Sequence, residues 1–494
     1  MTRLHSSANV LRRFGMLVFG LMLIGLVAAP SVAETVRLTG VTIHTGTGRT
    51  IEGGTIVVED GRIVAVVKDG GASDGDTIDL GGMHITAGLI DANARIEPRD
   101  IVTTEPARRQ GASIARLFHS TDHNTDEACT CSGLIHCALA EAHADLDDEA
   151  VCPICGYPGP PGVHDLISGV RSGQFTPTES SSEVVPHTWV VDSINLRSPD
   201  FKRLINGGVT TVFAAPDNAA VIGPRGAIVR TGGPMRERIL TEASDVHAVV
   251  NPDTFRVGGG NSAPFRNFVS NRTRRPGSRM GVAWVFRKAF YDAKRVDMGL
   301  EYGGADAPPA DAMPVLNEIL AGDLPMRISA RTQRDIETAF RVAGEFGVPF
   351  TLTEATEAHT LLPQLTEAGT RVVFGPIQLE RPRRGEETQA QAGTLRQLLA
   401  AGIPTALSAR DRRDEDGLDR QAMYAIRTGV SFEQALRAVT RTPAEFLGLD
   451  DDLGTVEVGK QADLVVWSDV PFSATARPVM VMIAGETVLD RRDD

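Results

Sequence analysis

"HITAGLIDANARIEP", residues 84–98, is the stretch on which the fold turns. Ile85-Thr86-Ala87-Gly88-Leu89-Ile90 is a short apolar run, as in a strand buried on both faces. It runs into Asp91 and then Asn93-Ala94-Arg95. Residues i and i+2 of a strand share a face, so Asn93 and Arg95 leave the strand end in the same direction.

Downstream, similar strands alternate with amphipathic helices. "GVTTVFAAP" (208–216), "DLPMRISAR" (323–331), "VPFTLTEA" (348–355), "TRVVFGP" (370–376) and "IPTALSARD" (403–411) read as strands. Helical spacing follows around Ile336–Phe346, near Leu361–Glu367, through Met423 and Ile426, and over "SFEQALRAVTRTPAEFLGL" (431–449). Strand ends recur often enough for an α/β, (β/α)₈ TIM-type barrel over 85–449. An open doubly wound sheet is the alternative, and it leaves the two chain ends unexplained. Those ends are β-rich. "IEGGTIVVEDGRIVAVV" (51–67) holds two strands joined by an Asp-Gly hairpin signal. "GTVEVGKQADLVVWSDVPF" (454–472) and "VMVMIAGETVLD" (479–490) repeat the texture. Residues 34–84 and 450–494 are therefore expected to form one small composite β-sandwich domain.

The segments "GGMHITAGLIDANARIE", "INGGVTTVFAAPDNAAVIGPRGAIV", "RISARTQRDIETAFRVAGEFGVPFTLTEATEA", "RVVFGP", "IPTALSARD" and "TPAEFLGLDDDLGTVEVGKQADLVVWS" resemble the amidohydrolase superfamily, specifically its imidazolonepropionase-like and related secreted branches. The resemblance covers most of the chain outside residues 99–185. It implies the barrel, the composite β-domain, and descent from metal-dependent hydrolases of carbon–nitrogen bonds other than peptide bonds. It also implies metal ligands at strand ends: a His-x-His on the first strand, histidines on two later strands and an aspartate on the last. Such a metal lowers the pKa of its bound water to about 7.

In this chain those positions carry Asn93 and Arg95, Ser329 and Arg331, Glu354, and Ala409-Arg410 with Asp411 one residue further on. The eleven histidines stand at 5, 44, 84, 119, 123, 136, 143, 164, 187, 247 and 359. None ends an apolar barrel strand, so no catalytic metal is expected in the barrel. Arginine keeps its proton at ordinary pH and does not ligate metals. Arg95, Arg331 and Arg410 would place fixed positive charge at the barrel mouth, with Glu354 and Asp411 as bidentate partners. Two readings of this network stand: it satisfies a buried polar mouth, or it is an anion-binding pocket kept after catalysis was lost.

Residues 99–185 interrupt the alternation as an insertion holding all five cysteines. Cys152-Pro-Ile-Cys155 has knuckle spacing, and Cys129-x-Cys131 offers a second pair, giving a structural zinc site as the first expectation. Two disulfides and a free thiol are the rival, because the N-terminus reads as a secretory leader. Arg3, Arg12 and Arg13 precede an apolar run from Met16 to Ala29, and Ser31-Val32-Ala33 suits cleavage before Glu34. Residues 1–33 are thus read as a signal peptide, with the protein exported and no stable membrane span. The net charge of −13 argues against nucleic acid.

The favoured reading is a catalytically degenerate amidohydrolase relative that binds or scaffolds. Its expected partners are a small, anionic molecule and either its own copies or active paralogues. The alternatives are a metallohydrolase using Glu354, Asp411 and Asn93, assisted by Asp91 or Glu97, and a metal-independent enzyme with Glu354 as general base.

Overall fold

The computed structural model describes residues 35–68, 76–96, 182–254, 276–304, 307–377 and 388–492. Residues 1–33, expected to be a leader, all five cysteines and Glu97 lie outside the described residues. The chain opens with β1 (Thr35–His44), β2 (Thr50–Glu59), β3 (Arg62–Lys68), β4 (Asp76–Asp79) and β5 (His84–Ala87). The middle begins with β6 (Leu89–Ala94), α1 (Pro199–Asn206), β7 (Val209–Ala214), β8 (Ile222–Arg225), β9 (Ala227–Arg230), β10 (Ile239–Thr241) and β11 (Val246–Val249). It continues with α2 (Arg279–Asp297), α3 (Ala312–Ala321), β12 (Met326–Ala330), α4 (Gln333–Gly344), β13 (Phe350–Glu354), α5 (Leu362–Glu367) and β14 (Val372–Phe374). Next come α6 (Thr394–Ala400), β15 (Thr405–Leu407), α7 (Leu418–Arg427), α8 (Phe432–Val439) and α9 (Arg441–Leu447). The chain returns through β16 (Leu464–Trp467), β17 (Pro478–Ile483) and β18 (Glu486–Asp490).

Both ends build one sheet in the order β18-β17-β16-β5-β1-β2-β3, with β4 beside β1. The junction is β5 against β16, antiparallel, with Ala87 opposite Leu464 and His84 opposite Trp467. Among the described residues, the strands of the composite domain form one continuous hydrogen-bonded sheet. Its strands alternate between two buried faces. Leu464, Val466, Met480 and Met482 pack with Leu38, Ile43, Ile56 and Ile85. Val465, Trp467, Val481 and Ile483 face the other way, into the central core. A period of two with both faces apolar leaves few polar positions, which is why these strands look so hydrophobic in sequence.

Two hairpins fix the sheet's register. Asp60 (φ 48°) and Gly61 (φ 77°) join β2 to β3, and Ala484 (φ 49°) and Gly485 (φ 84°) join β17 to β18. Two consecutive left-handed residues are what a type I′ turn requires. The two tips also touch: a Cβ at Gly61 would lie 2.4 Å from the Ala484 carbonyl oxygen.

The middle forms two arcs, β10-β9-β7-β6 and β15-β14-β13-β12-β11-β8. Within the arcs β6 runs parallel to β7, and β11 to β15 run parallel to one another. The βα alternation lapses between β7 and β11. Here β9 is antiparallel to β7, and β8 is antiparallel to β11. The chain passes from one arc to the other at Gly226, where a Cβ would meet the Phe213 ring at 2.2 Å. At the opposite junction no ladder joins β6 to β15 among the described residues. Side chain and main chain bridge it instead: Ser408 Oγ donates to Asp91 at 2.6 Å, and the Ala409 amide donates to Asp91 at 3.0 Å.

Helices cover the six-stranded arc. α4 starts at a capping box made by Thr332 and Asp335 and buries Ile336, Ala339, Val342 and Ala343 along one face. The stretch 431–449 forms two helices, α8 and α9, the first opened by a Ser431–Gln434 capping box. Among the described residues no helix is long and apolar enough to cross a membrane.

Candidate functional site

The polar residues at the strand ends converge on Glu354. It closes β13 in a left-handed conformation (φ 67°), followed by Ala355 (φ 52°). Non-glycine residues hold such angles only where the surroundings compensate a cost of about 1–3 kcal/mol. Here the compensation is visible. Glu354 is 4% exposed. Its Oε1 accepts from Asn218 Nδ2 at 2.7 Å and Ser329 Oγ at 2.9 Å, and lies 3.2 Å from Arg410 Nη2. Oε2 accepts from Arg331 Nη1 at 3.2 Å. Burial works against the charge, but Arg410, Arg331 and the Asn218 and Ser329 hydrogen bonds overcome it and hold the carboxyl down at about 2.

Arg331 carries a second carboxylate. Its Nη1 and Nη2 each donate to Asp253 at 2.8 Å, a two-pronged fork. Asn218 links the pieces. Its amide nitrogen faces Glu354, Asp253 and Ser329, while its oxygen accepts from Arg410 Nη2 at 2.9 Å and meets His247 Nε2 at 3.0 Å. An acceptor oxygen there makes Nε2 the protonated nitrogen of His247. Burial, followed by the charge of Arg410, lowers His247 to about 3, so the ring is neutral. Deeper in, Arg327 is fully buried. It stacks 3.8 Å over Phe213, donates to Asp245 at 2.5 Å, and donates to the Ala92 carbonyl at 2.6 Å.

The first and last strands meet beside this cluster. The Arg95 amide donates to the Arg410 carbonyl at 3.0 Å. Arg413 Nη2 donates to the Arg95 carbonyl at 2.7 Å, and its Nη1 donates to the Arg410 carbonyl at 2.8 Å. Asp91 is enclosed by Ser408 and the amides of Asn93 and Ala409, and burial raises its pKa. Asn93 is 0% exposed, and neither side-chain atom has a hydrogen-bond partner among the described residues. Arg95 Nε, Arg410 Nη1 and His247 Nδ1 are buried and likewise unpartnered there.

Of the residues singled out from sequence, Arg331, Glu354 and Arg410 share one ion-paired network, and Arg95 joins it through the main chain. Asn93 is buried on the strand between Asp91 and Arg95. Asp411 departs from expectation: it is exposed. Arg410 takes φ 55°, and this left-handed turn keeps its own side chain in the network while the chain at Asp411 has already reached the surface. Glu354 meets each guanidinium through one contact, and the bidentate partner of Arg331 is Asp253. Sequence reading missed Asp253, Asn218 and His247. Asn218 sits in a loop and Asp253 in the 3-10 turn Pro252–Thr254, where no periodicity marks them. His247 lies inside the short strand "VHAV", and a histidine in an apolar run was the available signal. Cys129, Cys131, Cys152 and Cys155 lie outside the described residues. Among the described residues no group of three or more His, Cys, Asp or Glu side chains is placed to hold a metal ion.

Comparison with known proteins shows what the chain is similar to. The amidohydrolase family model matches residues 338–488. Amidohydrolase tasK of Hapsidospora irregularis is 24% identical over 340 residues, covering 65% of this chain and 34% of that protein. Imidazolonepropionase of Caulobacter sp. (strain K31) is 28% identical over 148 residues, covering 29% of this chain and 35% of that protein. The chain thus matches about a third of the length of these curated relatives. The crystal structure of an amidohydrolase from Thermotoga maritima MSB8 aligns with a TM-score of 0.68 at 25% identity, over 92% of this chain and 100% of that one. Residues 338–488 are thus similar to the amidohydrolase family, and the fold as a whole is similar to that of a solved amidohydrolase.

Proposed function

We propose that this protein has kept the amidohydrolase fold, lost metal-dependent hydrolysis, and acts as an exported binding or scaffold protein for a small anionic molecule. The observation that carries the reading is the enclosure of Glu354 between Arg331 and Arg410. These side chains do not fit a divalent cation. Two guanidiniums hold the position by permanent positive charge, and each oxygen of Glu354 and Asp253 already accepts from a protein donor. Nor do they fit metal-free general-base chemistry. A base near the operating pH is required, whereas Glu354 at about 2 and His247 at about 3 lie far below it. The anionic ligand class rests on Arg95 Nε and Arg410 Nη1, guanidinium donors that the described residues leave over at one strand junction. A structural zinc at the Cys129, Cys131, Cys152 and Cys155 thiolates remains part of the proposal for the insertion.

The test is elemental analysis of the full chain carrying Cys152→Ser and Cys155→Ser, together with hydrolysis assays on N-acyl and cyclic-amide substrates. Folded, metal-free, inactive protein supports the reading. Near-stoichiometric metal or metal-stimulated turnover overturns it. Titration with small carboxylates, compared with Arg95→Gln and Arg410→Gln, tests the ligand class.

A further inference from the structure

A second concentration of arginine adjoins the strand-end cluster through Arg413. A cavity of about 500 Å³ opens between α1, the loop that follows β15, α7 and the segment entering β17. Six arginines line it: Arg203, Arg412, Arg413, Arg420, Arg427 and Arg477. The acidic lining residues are Asp414 and Asp419. An excess of guanidinium over carboxylate in so small a volume contrasts with a chain whose net charge is −13. The volume is that of a small-molecule site, roughly 300–1,000 Å³.

Contacts within the protein leave this charge partly unspent. Arg203 approaches Asp200 at 3.6 Å and Asp414 at 3.9 Å, beyond good hydrogen-bonding distance. Arg413 gives its Nη atoms to main-chain carbonyls, and its buried Nε has no partner among the described residues. Asp419 supplies an independent sign of a ligand. It is 7% exposed, and its Oδ1 is buried without a hydrogen-bond partner there. Two glycines flank that oxygen: a Cβ at Gly417 would lie 3.0 Å from it, and a Cβ at Gly207 would lie 3.4 Å away. Side chains at either position would crowd the acceptor. Leaving a buried acceptor unmade costs about 1–3 kcal/mol, so a donor from outside the chain would recover it.

We propose that this cavity binds a small phosphorylated molecule bearing a hydroxyl or amine, with the phosphoryl group held by the arginines and the ligand's donor hydrogen-bonded to Asp419 Oδ1. Arginines reach the space from four separate segments, an arrangement suited to three acceptor oxygens and close to two negative charges. A planar carboxylate would engage one fork and leave the others idle. This site does not depend on the inactivity proposed for the strand ends, and its variants are different residues.

Calorimetric titration of the full chain with ribose 5-phosphate, pyrophosphate and citrate tests it. Saturable binding of both phosphoryl compounds is expected, weakening as salt rises. Arg203→Gln with Arg427→Gln should weaken both by about tenfold or more, the loss of two charged hydrogen-bond donors. Arg441→Gln, which removes a surface pair with Glu445, should leave binding unchanged. Asp419→Asn should weaken ribose 5-phosphate more than pyrophosphate. Citrate binding as tightly as the phosphoryl compounds overturns the ligand class. No binding up to about 1 mM, or affinity unchanged in the double arginine variant, overturns the site. Arg203 and Arg427 lie at the surface, so these variants remain informative if Asp419→Asn does not fold.

Discussion

Replacing Glu354 by glutamine keeps the shape of the residue and removes the charge that Arg331 and Arg410 share. The size of the effect follows from the carboxyl's own titration. Lowering it from 4.5 to about 2, at about 1.4 kcal/mol per pH unit, corresponds to about 3 kcal/mol favouring the ionised folded state. Breaking one partner out of a buried ion pair costs about 3–5 kcal/mol, which agrees. At about 2 °C per kcal/mol, the low end suited to a large chain, Glu354→Gln should lower Tm by about 6 °C. Glu345→Gln is the control, because the Glu345–Arg287 pair is 31% exposed on each side. An exposed pair is worth about 0–1 kcal/mol, so Tm should move by less than about 2 °C. Differential scanning calorimetry at pH 7 reads both. The carboxyl is depressed in the folded state, so its stabilisation is complete above 4.5 and fades as pH falls through about 2. Glu354→Gln should therefore lose acid sensitivity in that window. A Tm within 1–2 °C of the parent protein, with the same acid profile, would refute the network as a stabilising unit.

Three further outcomes follow. Gly226→Ala places a Cβ 2.2 Å from the Phe213 ring, and overpacking there should cost about 1–3 kcal/mol in urea unfolding. Arg327→Lys keeps the charge but loses the flat guanidinium that stacks on Phe213 while bonding both Asp245 and Ala92. It should destabilise by about 2 kcal/mol or more, and a neutral result in the same assay would show that the fork is not needed. The third concerns His44 and His84, whose rings stack with Nε2 and Nδ1 3.0 Å apart. Burial, with the neighbouring ring adding to it, lowers His44 to about 4, and burial lowers His84. The unfolded chain takes up protons first, so stability should fall as pH drops from 6.5 through about 4. Calorimetry across that range should show a flatter slope in His44→Gln; an unchanged slope would remove the pair from the acid response.

Much of the architecture was legible because it depends on repeating apolar patterns. Strands such as Val372–Phe374 and Leu464–Trp467 announce themselves as apolar runs, and the Asp60-Gly61 turn has few alternatives. The lapse in the alternation at β8 and β9 was not legible. Gly223, Pro224 and Gly226 in "VIGPRGAIV" mark breaks, but nothing in them says that the chain passes between two arcs at Gly226, where it packs against Phe213. At the site, Arg331, Glu354 and Arg410 were found because the amidohydrolase resemblance implies metal ligands at those strand ends. Their partners were harder. Asn218 reaches the network from a loop and Asp253 from a single 3-10 turn, and a left-handed residue at Arg410 reverses the direction that simple alternation assigns to Asp411. Backbone angles of that kind leave almost no trace in residue type when the residue is not glycine.

The joining of β5 to β16 has a consequence for how the molecule is made. A ribosome releases β1 to β5 long before β16 to β18 exist, so the free edge of β5 waits through synthesis of the whole middle of the chain. An open edge flanked by apolar residues is a template for wrong pairing. Closing it requires contacts between the two extremes of the sequence, the kind that form slowly. Chains cut short anywhere before Leu464 would carry that edge permanently, so shortening this protein from its C-terminus should produce aggregation well before it reaches the strands of the two central arcs.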